Sequence, residues 1–406
     1  MIIRKIVYKN FRNVEYASVV PSESVTVFNG LNGQGKTNIL EGVYFFAGGR
    51  SFRTVHENEL VRFGAEYGQI EMTFFDGKRE NEMLFRFVPK IGKRFCSLNG
   101  VPITRLSDVV GKFRAVLFCP EHLSIVKDGP SVRRKFIDHA LSQTDTDYLR
   151  SLQKYNALLA QRNALIKMAR DRRDDNIFLL SDIYAEQLAT EAEVISEKRD
   201  LFVSRLSIVT DEIISDMTAG KESTKLTYQS RKTKEEYLSL LSDNRERELR
   251  FGATLFGTHK DDIDIMLNGR EARSYGSQGQ QRSVALSMKI AEGELSREVS
   301  GTYPVFLFDD ILSELDEKRR EYLLSGIENK QVIITSCDKI DTPCKVYNVN
   351  NGVVNLFFLT FLAHPRKVTK ERCQRNFSLG AKKSFFWNLQ KKLHASHSLV
   401  GFTQNF

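Results

Sequence analysis

The chain has 406 residues, 41% hydrophobic and 27% charged, a globular composition and more length than one ordinary compact core uses. Apolar runs of only a few residues, a charged alternating start (MIIRKIVYKNF) and five scattered cysteines without a CxxC pair argue against a membrane span, a signal peptide and a disulfide or zinc framework, so a cytoplasmic protein is expected. The net charge of +9 sits almost wholly after residue 355, where nine Lys and Arg face a single acid, so overall charge is no argument for a nucleic-acid partner.

Residues 1 to about 125 read mainly as strands. Ile3, Lys5 and Val7 alternate, as do Gln69 to Phe75, and an Asn99-Gly100 turn joins Phe95–Leu98 to Val101–Ile103, predicting antiparallel hairpins. Among them lies Ser24 to Gly42, SVTVFNGLNGQGKTNILEG. It is a β-branched strand, then Gly30-Leu31-Asn32-Gly33-Gln34-Gly35-Lys36-Thr37, then an apolar helix that opens near Lys36 and takes in Asn38. This is a phosphate-binding P-loop in its proper setting: the glycines let backbone N–H groups turn toward a polyphosphate and the helix adds its positive end. Lys36 is expected to reach the β- and γ-phosphates of ATP and Thr37 to bind Mg²⁺.

From about Thr144 the period becomes helical. Leu149, Leu152, Tyr155, Leu159, Arg162 and Ile166 share one face, and a second run from Leu180 to Met217 stops at Gly220. Strands return near Leu226 and at Ile263 to Leu267, followed by an Asn268-Gly269 turn. Ser277-Gln278-Gly279-Gln280-Gln281 then precedes a helix with Val284, Met288 and Ala291. A Ser/Gly/Gln turn that merely caps a helix is common; small residues and free amides there can also hold a second anion. Pro304 to Phe308 is an apolar strand ending in Asp309 and Asp310, the form of a Walker B strand: Asp309 beside Thr37 for Mg²⁺ and Asp310 polarising the attacking water. Ser313-Glu314-Leu315-Asp316 follows as a D-loop.

In this order the motifs predict an α/β fold, an ABC/SMC-type P-loop ATPase head with an inserted helical lobe. Its parts are residues 1–125 (head), 126–250 (lobe), 251–355 (head) and 356–406, a basic tail. In such ATPases the signature of one subunit covers the γ-phosphate held by the other, so a head of this kind hydrolyses only as a dimer. The tail, with Trp387 and with Phe357, Phe358, Phe361, Phe385 and Phe386 in no helical or strand period, has two readings: a basic DNA-associating extension, or unselected sequence without a fold.

From Met1 to about Asn355 the chain resembles the RecF family, bacterial recombination mediators related to SMC-type ATPases. The residues that carry the resemblance, besides the P-loop, are Lys9-Asn10-Phe11-Arg12-Asn13, Gly49-Arg50-Ser51-Phe52-Arg53, Pro120-Glu121, Arg133 to Asp138, Gln161-Arg162-Asn163, Gly257 to Asp262, Ser277 to Arg282 and Asp309 to Asp316. The resemblance implies a weakly hydrolysing, ATP-dependent homodimer of DNA repair and replication. It would bind single-stranded and gapped duplex DNA, assist recombinase loading and work with RecR and RecO. It carries ATP and Mg²⁺ roles onto Lys36, Thr37, Asp309 and Asp310, and the trans-acting signature onto Ser277, Gly279 and Gln280. Arg53 stands where related ATPases keep an arginine near the phosphates; the competing reading is a solvated loop arginine.

Thr258 and Lys260 depart from the family's usual Pro and Arg. Cys337, before Asp338, replaces the switch histidine of transporters and receives no catalytic role. Arg133, Arg134 and Lys135 are either phosphate contacts or a solvated helix face. Two other classes compete: an ABC transporter's nucleotide subunit, disfavoured by the long interval from Lys36 to Ser277, and an SMC-like structural clamp, disfavoured because the helical insertion is short and its apolar face wanders.

Overall fold

Alternating side chains at the start of the chain fold as β1 (Ile2–Phe11) and β2 (Val14–Val19), an antiparallel hairpin whose tight turn holds Arg12 and Asn13. The structure, a computed structural model, describes residues 1–172, 175–326, 329–337 and 344–357, without the side chains of 175–178. The tail from residue 358 and Asp338 therefore lie outside the described residues.

Next come β3 (Val25–Asn29) and α1 (Lys36–Gly48), then β4 (Gly68–Phe75), β5 (Glu80–Val88), β6 (Lys93–Leu98), β7 (Val101–Ile103) and β8 (Ala115–Phe118). A helical stretch follows: α2 (Pro130–Ser142), α3 (Thr146–Arg172) and α4 (Asp175–Met217). It continues through β9 (Thr224–Tyr228), α5 (Lys234–Asp243) and α6 (Arg245–Phe251) to β10 (Ile263–Leu267), β11 (Arg270–Glu271) and α7 (Ala272–Tyr275). The chain then forms α8 (Gln278–Ser300), β12 (Val305–Asp309), α9 (Glu317–Ser325), β13 (Val332–Ser336), β14 (Lys345–Asn350) and β15 (Val353–Phe357).

Two six-stranded sheets result. One is antiparallel, in the order β2-β1-β4-β5-β6-β7; the other runs β15-β14-β3-β13-β12-β8 and is parallel from β14 to β8. A parallel sheet needs cover on both faces. On one face α1 and the antiparallel sheet bury Phe28, Leu117, Leu307 and Ile333 with Phe45, Phe46 and Phe85. On the other, Val27, Phe118, Phe306 and Ile334 pack with Leu286 of α8 and Leu323 of α9.

Helices α2 to α5, the small sheet β11-β10-β9 and the remaining face of α8 share a third core that includes Leu188, Ile195, Leu206, Val284 and Met288. Helix α8 thus belongs to two cores at once. Arg162, on the apolar face of α3, is fully buried because its guanidinium meets Glu248 at 2.7 Å and the Thr254 hydroxyl at 2.7 Å. Strand β15 extends through Phe357, two residues past the boundary read from the sequence. Among the described residues no helix is long and apolar enough to cross a membrane.

Candidate nucleotide site

Strand β3 lies between β14 and β13, so its end delivers the Gly30–Thr37 loop to the point where α1 begins. Gly35 caps α1 at φ 107°, a left-handed conformation, and a Cβ there would stand 2.5 Å from Asn13 Oδ1. Asn13 donates Nδ2 to the Gln34 carbonyl (3.1 Å) and accepts from Asn38 Nδ2 (2.8 Å). The β14–β15 turn also grips Gln34: Gly352 N–H donates to its carbonyl (2.9 Å) and Asn351 N–H to its Oε1 (2.8 Å). Two turns outside the motif therefore preorganise the phosphate loop.

Lys36 is buried, and its Nζ donates to the carbonyls of Gly30 (2.6 Å) and Leu31 (3.2 Å). The ammonium also reaches Asn32 Oδ1 (3.5 Å) and Cys337 Sγ (3.0 Å). A compact cation on a flexible stem is thereby held at the loop by carbonyl oxygens. Cys337, given no role from sequence, is a direct neighbour of this lysine and donates to Asn32 Oδ1 at 2.9 Å.

Thr37 Oγ1 donates to Asp309 Oδ1 at 2.9 Å, joining the first turn of α1 to the end of β12. Thr335 of β13 donates to the same oxygen at 2.8 Å and accepts from the Asp310 N–H at 2.9 Å. Burial pushes the Asp309 carboxyl above the ordinary range, opposed by the hydroxyls of Thr335 and Thr37 and by the Arg53 guanidinium. Asp310 sits at φ 50°, the left-handed region, where the chain turns sharply away from the strand. Such a conformation costs on the order of 1 kcal/mol; the bond from the Asp310 N–H to Thr335 Oγ1 and one from Ser313 Oγ to the Asp310 carbonyl (2.7 Å) fix it.

The Thr37 hydroxyl and Asp309 carboxylate fit Mg²⁺. That ion takes hard oxygens, usually one or two from protein, and completes its octahedron with phosphate and water. Among the described residues no cluster of three or more His, Cys, Asp or Glu suited to a metal occurs.

Arg53 lies beside this centre. Its Nη1 donates to Asn38 Oδ1 at 2.7 Å and stands 3.7 Å from the fully buried Glu41 of α1. Glu41 accepts both Nε (2.9 Å) and Nη2 (2.7 Å) of Arg12, and the Ser51 hydroxyl at 2.5 Å. Two of the sequence blocks, around Arg12 and around Ser51, are thus scaffolding for the P-loop helix.

At the start of α8, Ser277 and Gln280 form a capping box: Ser277 Oγ accepts from the Gln280 N–H (3.3 Å) and Gln280 Oε1 from the Ser277 N–H (2.9 Å). Gln280 Nε2 donates to Glu222 (3.1 Å). Arg319 donates to the Gly279 carbonyl (2.8 Å) and Ser283 Oγ (2.7 Å), while Arg282 donates to the Glu314 carbonyl (2.9 Å). The signature turn and D-loop are therefore clamped to each other. Among the described residues Ser277, Gly279 and Gln280 make none of their hydrogen bonds to the P-loop of their own chain.

The basic run on α2 is neither a free phosphate contact nor a plain solvated face. Arg133 is buried, with Nε and Nη2 on the Asp262 carboxylate at 2.6 and 2.7 Å, and Arg134 donates to the Asp261 carbonyl at 2.7 Å. Only Lys135 of the three is exposed. The block from Gly257 to Asp262 is their partner. Its Thr258 carbonyl accepts from the buried Arg199 at 2.7 Å, while Lys260 points to solvent.

The family model for the RecF/RecN/SMC N-terminal domain matches residues 2–355. The DNA replication and repair protein RecF of Clostridium beijerinckii is 35% identical over 366 residues, covering 87% of this chain and 98% of that protein. Its counterpart in Staphylococcus aureus strain RF122 is 38% identical over 365 residues, covering 85% and 97%. A solved structure of the recombination mediator RecF with ATPrS, in the RecFOR pathway, superposes with a TM-score of 0.82 at 30% identity, covering 88% of this chain and 98% of that one. The Smc head domain of Pyrococcus furiosus, at TM-score 0.54 and 18% identity over 93% and 98% of the two chains, shares the fold. With a phosphate loop, Walker B strand and signature helix assembled on an SMC-type head, the chain belongs to the RecF family of DNA replication and repair proteins.

Proposed function

We propose that the protein is an ATP-gated DNA-binding dimer of recombinational repair, with residues 1–125 and 251–355 as its head and 126–250 as its lobe. The observation that carries this reading is the bond from Thr37 to Asp309 at 2.9 Å, which unites the P-loop and Walker B strand in one Mg²⁺-competent centre. Mg²⁺, when bound, neutralises phosphate charge. Lys36 and the loop N–H groups hold the triphosphate, Thr37 and Asp309 would hold the cation, and Asp310 accepts the proton of the attacking water.

Ser277, Gly279 and Gln280 face a second subunit's γ-phosphate, so ATP is the adhesive between heads and its slow hydrolysis to ADP and phosphate releases them. The solved relative bound to ATPrS, named for the RecFOR pathway, supports ATP as the nucleotide and RecR and RecO as partners. DNA, single-stranded or gapped, is the substrate surface, and the cytoplasm, where chromosomal DNA lies, is the site of action.

Sedimentation velocity with Mg²⁺ and ATP tests this. The wild type is expected to shift from monomer to dimer, and gapped DNA to co-sediment with the dimer. Lys36→Met is expected to abolish both; ATP-dependent dimers of that variant would overturn the assignment.

A further inference from the structure

The turn that opens α8 is held from a place that no motif marks. Glu222 lies between the end of α4 and the start of β9, 58 residues before Gln280. Its backbone is fixed where it stands: the Glu222 N–H donates to the Thr218 hydroxyl (3.1 Å), the Ser223 N–H to Asn268 Oδ1 (2.9 Å) and the Thr224 N–H to Asp211 Oδ1 (2.7 Å). The carboxylate is thus delivered to one point, where Oε1 accepts from Gln280 Nε2 at 3.1 Å. Its other oxygen is buried without a partner, so the Gln280 amide supplies the one hydrogen bond this carboxylate receives among the described residues.

That bond decides which way the amide points. A carboxylate only accepts, so the end of Gln280 facing Glu222 must be the NH2, and Oε1 must turn back to Ser277. There it accepts the Ser277 N–H at 2.9 Å, while the Gln280 N–H donates to Ser277 Oγ at 3.3 Å. With Oγ engaged as an acceptor, the Ser277 hydroxyl keeps its proton to donate, and a donor is what a phosphate oxygen takes. The capping box alone does not demand this arrangement, since Glu serves as well as Gln at its last position. A carboxylate there would oppose Glu222; an amide satisfies both neighbours.

We propose that Glu222 is a positioning residue for the signature, a role that rests on the ATP-bridged dimer proposed above. By fixing the Gln280 amide it sets the direction of the Ser277 hydroxyl toward the nucleotide held by a second copy of this chain.

Glu222→Ala and Glu222→Gln test this, because Ala removes the acceptor whereas Gln keeps an oxygen for Gln280 Nε2. In sedimentation velocity with Mg²⁺ and ATP, Glu222→Ala is expected to dimerise at least about ten-fold more weakly than wild type, since a two-fold dimer contains two such turns, and Glu222→Gln to stay within about three-fold. Hydrogen exchange of residues 276–281 in the ATP-free protein should quicken in Glu222→Ala alone. ATP affinity, read with a fluorescent analogue on dilute protein, and the thermal transition should match wild type in both variants. An equal deficit in Glu222→Gln, or a parallel loss of ATP affinity and thermal stability in Glu222→Ala, would overturn the role in favour of charge or simple support. A wild type that dimerises beside an unaffected Glu222→Ala would overturn it alone, whereas a wild type that stays monomeric with ATP would overturn the dimer and this role together.

Discussion

Asp309 shows how a buried carboxylate depends on residues that no motif names. Its Oδ1 collects the hydroxyls of Thr37 and Thr335, while burial raises its pKa. Thr335→Val keeps the shape but deletes one donor to the charged form, a bond worth about 1.5–3 kcal/mol, together with the acceptor of the Asp310 N–H. Because the native pKa lies above the ordinary carboxylate value, the proton leaves as pH rises, and losing a donor moves that step to higher pH still. Thr335→Val is therefore expected to weaken Mg²⁺-dependent ATP binding by roughly ten-fold, with the deficit shrinking as pH rises. Calorimetry over a pH series measures it, and a pH-independent deficit would argue that Thr335 acts only through packing. That Thr37 and Asp309 come together was legible because residue types, order and the flanking strand and helix encode the P-loop and the acidic strand end locally. The roles of Thr335 and Asn351 were not, because each acts through a partner far along the chain and carries no local mark.

Helix α8 is the element on which two cores converge, and its first turn carries the proposed signature. The sequence showed its apolar positions and the turn before it, and both hairpins at Asn99-Gly100 and Asn268-Gly269 form as read. It did not show that α8 would be buried on two sides, since periodicity reports that a face is covered but not by what. The same limit hid the partners of Arg133 and Arg162, which read as a surface run and as part of an apolar stripe until Asp262 and Glu248 fold against them. The first turn allows structure and function to be separated. Ser277→Asp keeps a good N-cap residue, so stability should stay within about 0.5 kcal/mol of wild type, but it sets a carboxylate where a partner's γ-phosphate would land. ATP-dependent dimerisation is expected to vanish while denaturant unfolding is unchanged. A Ser277→Asp protein that still dimerises with ATP would reduce this turn to a helix cap.

At the scale of the whole molecule, the question is where the working protein ends. The basic segment after residue 357 supplies most of the net charge, yet every residue of the nucleotide centre and the signature lies before it. The β14–β15 turn sets the real limit, because Asn351 and Gly352 hold Gln34 of the P-loop and a Cβ on Gly352 would stand 2.2 Å from the Asn13 carbonyl. Strand β15 keeps that turn closed by pairing with β14 as far as Phe357. Deleting residues 358–406 is therefore expected to leave ATP affinity within about two-fold. Ending the chain after Asn350 removes two bonds to the loop and should weaken ATP binding by about ten-fold or more. The shorter deletion also removes eight net positive charges, so non-specific DNA binding should lose salt dependence while ATP-dependent binding persists. Titrating a fluorescent ATP analogue and a DNA duplex against both truncations measures the two effects together. If deletion of residues 358–406 alone abolished ATP binding, the tail would have to be part of the nucleotide site, and the bracing of Gln34 by the β14–β15 turn would be insufficient to hold the loop.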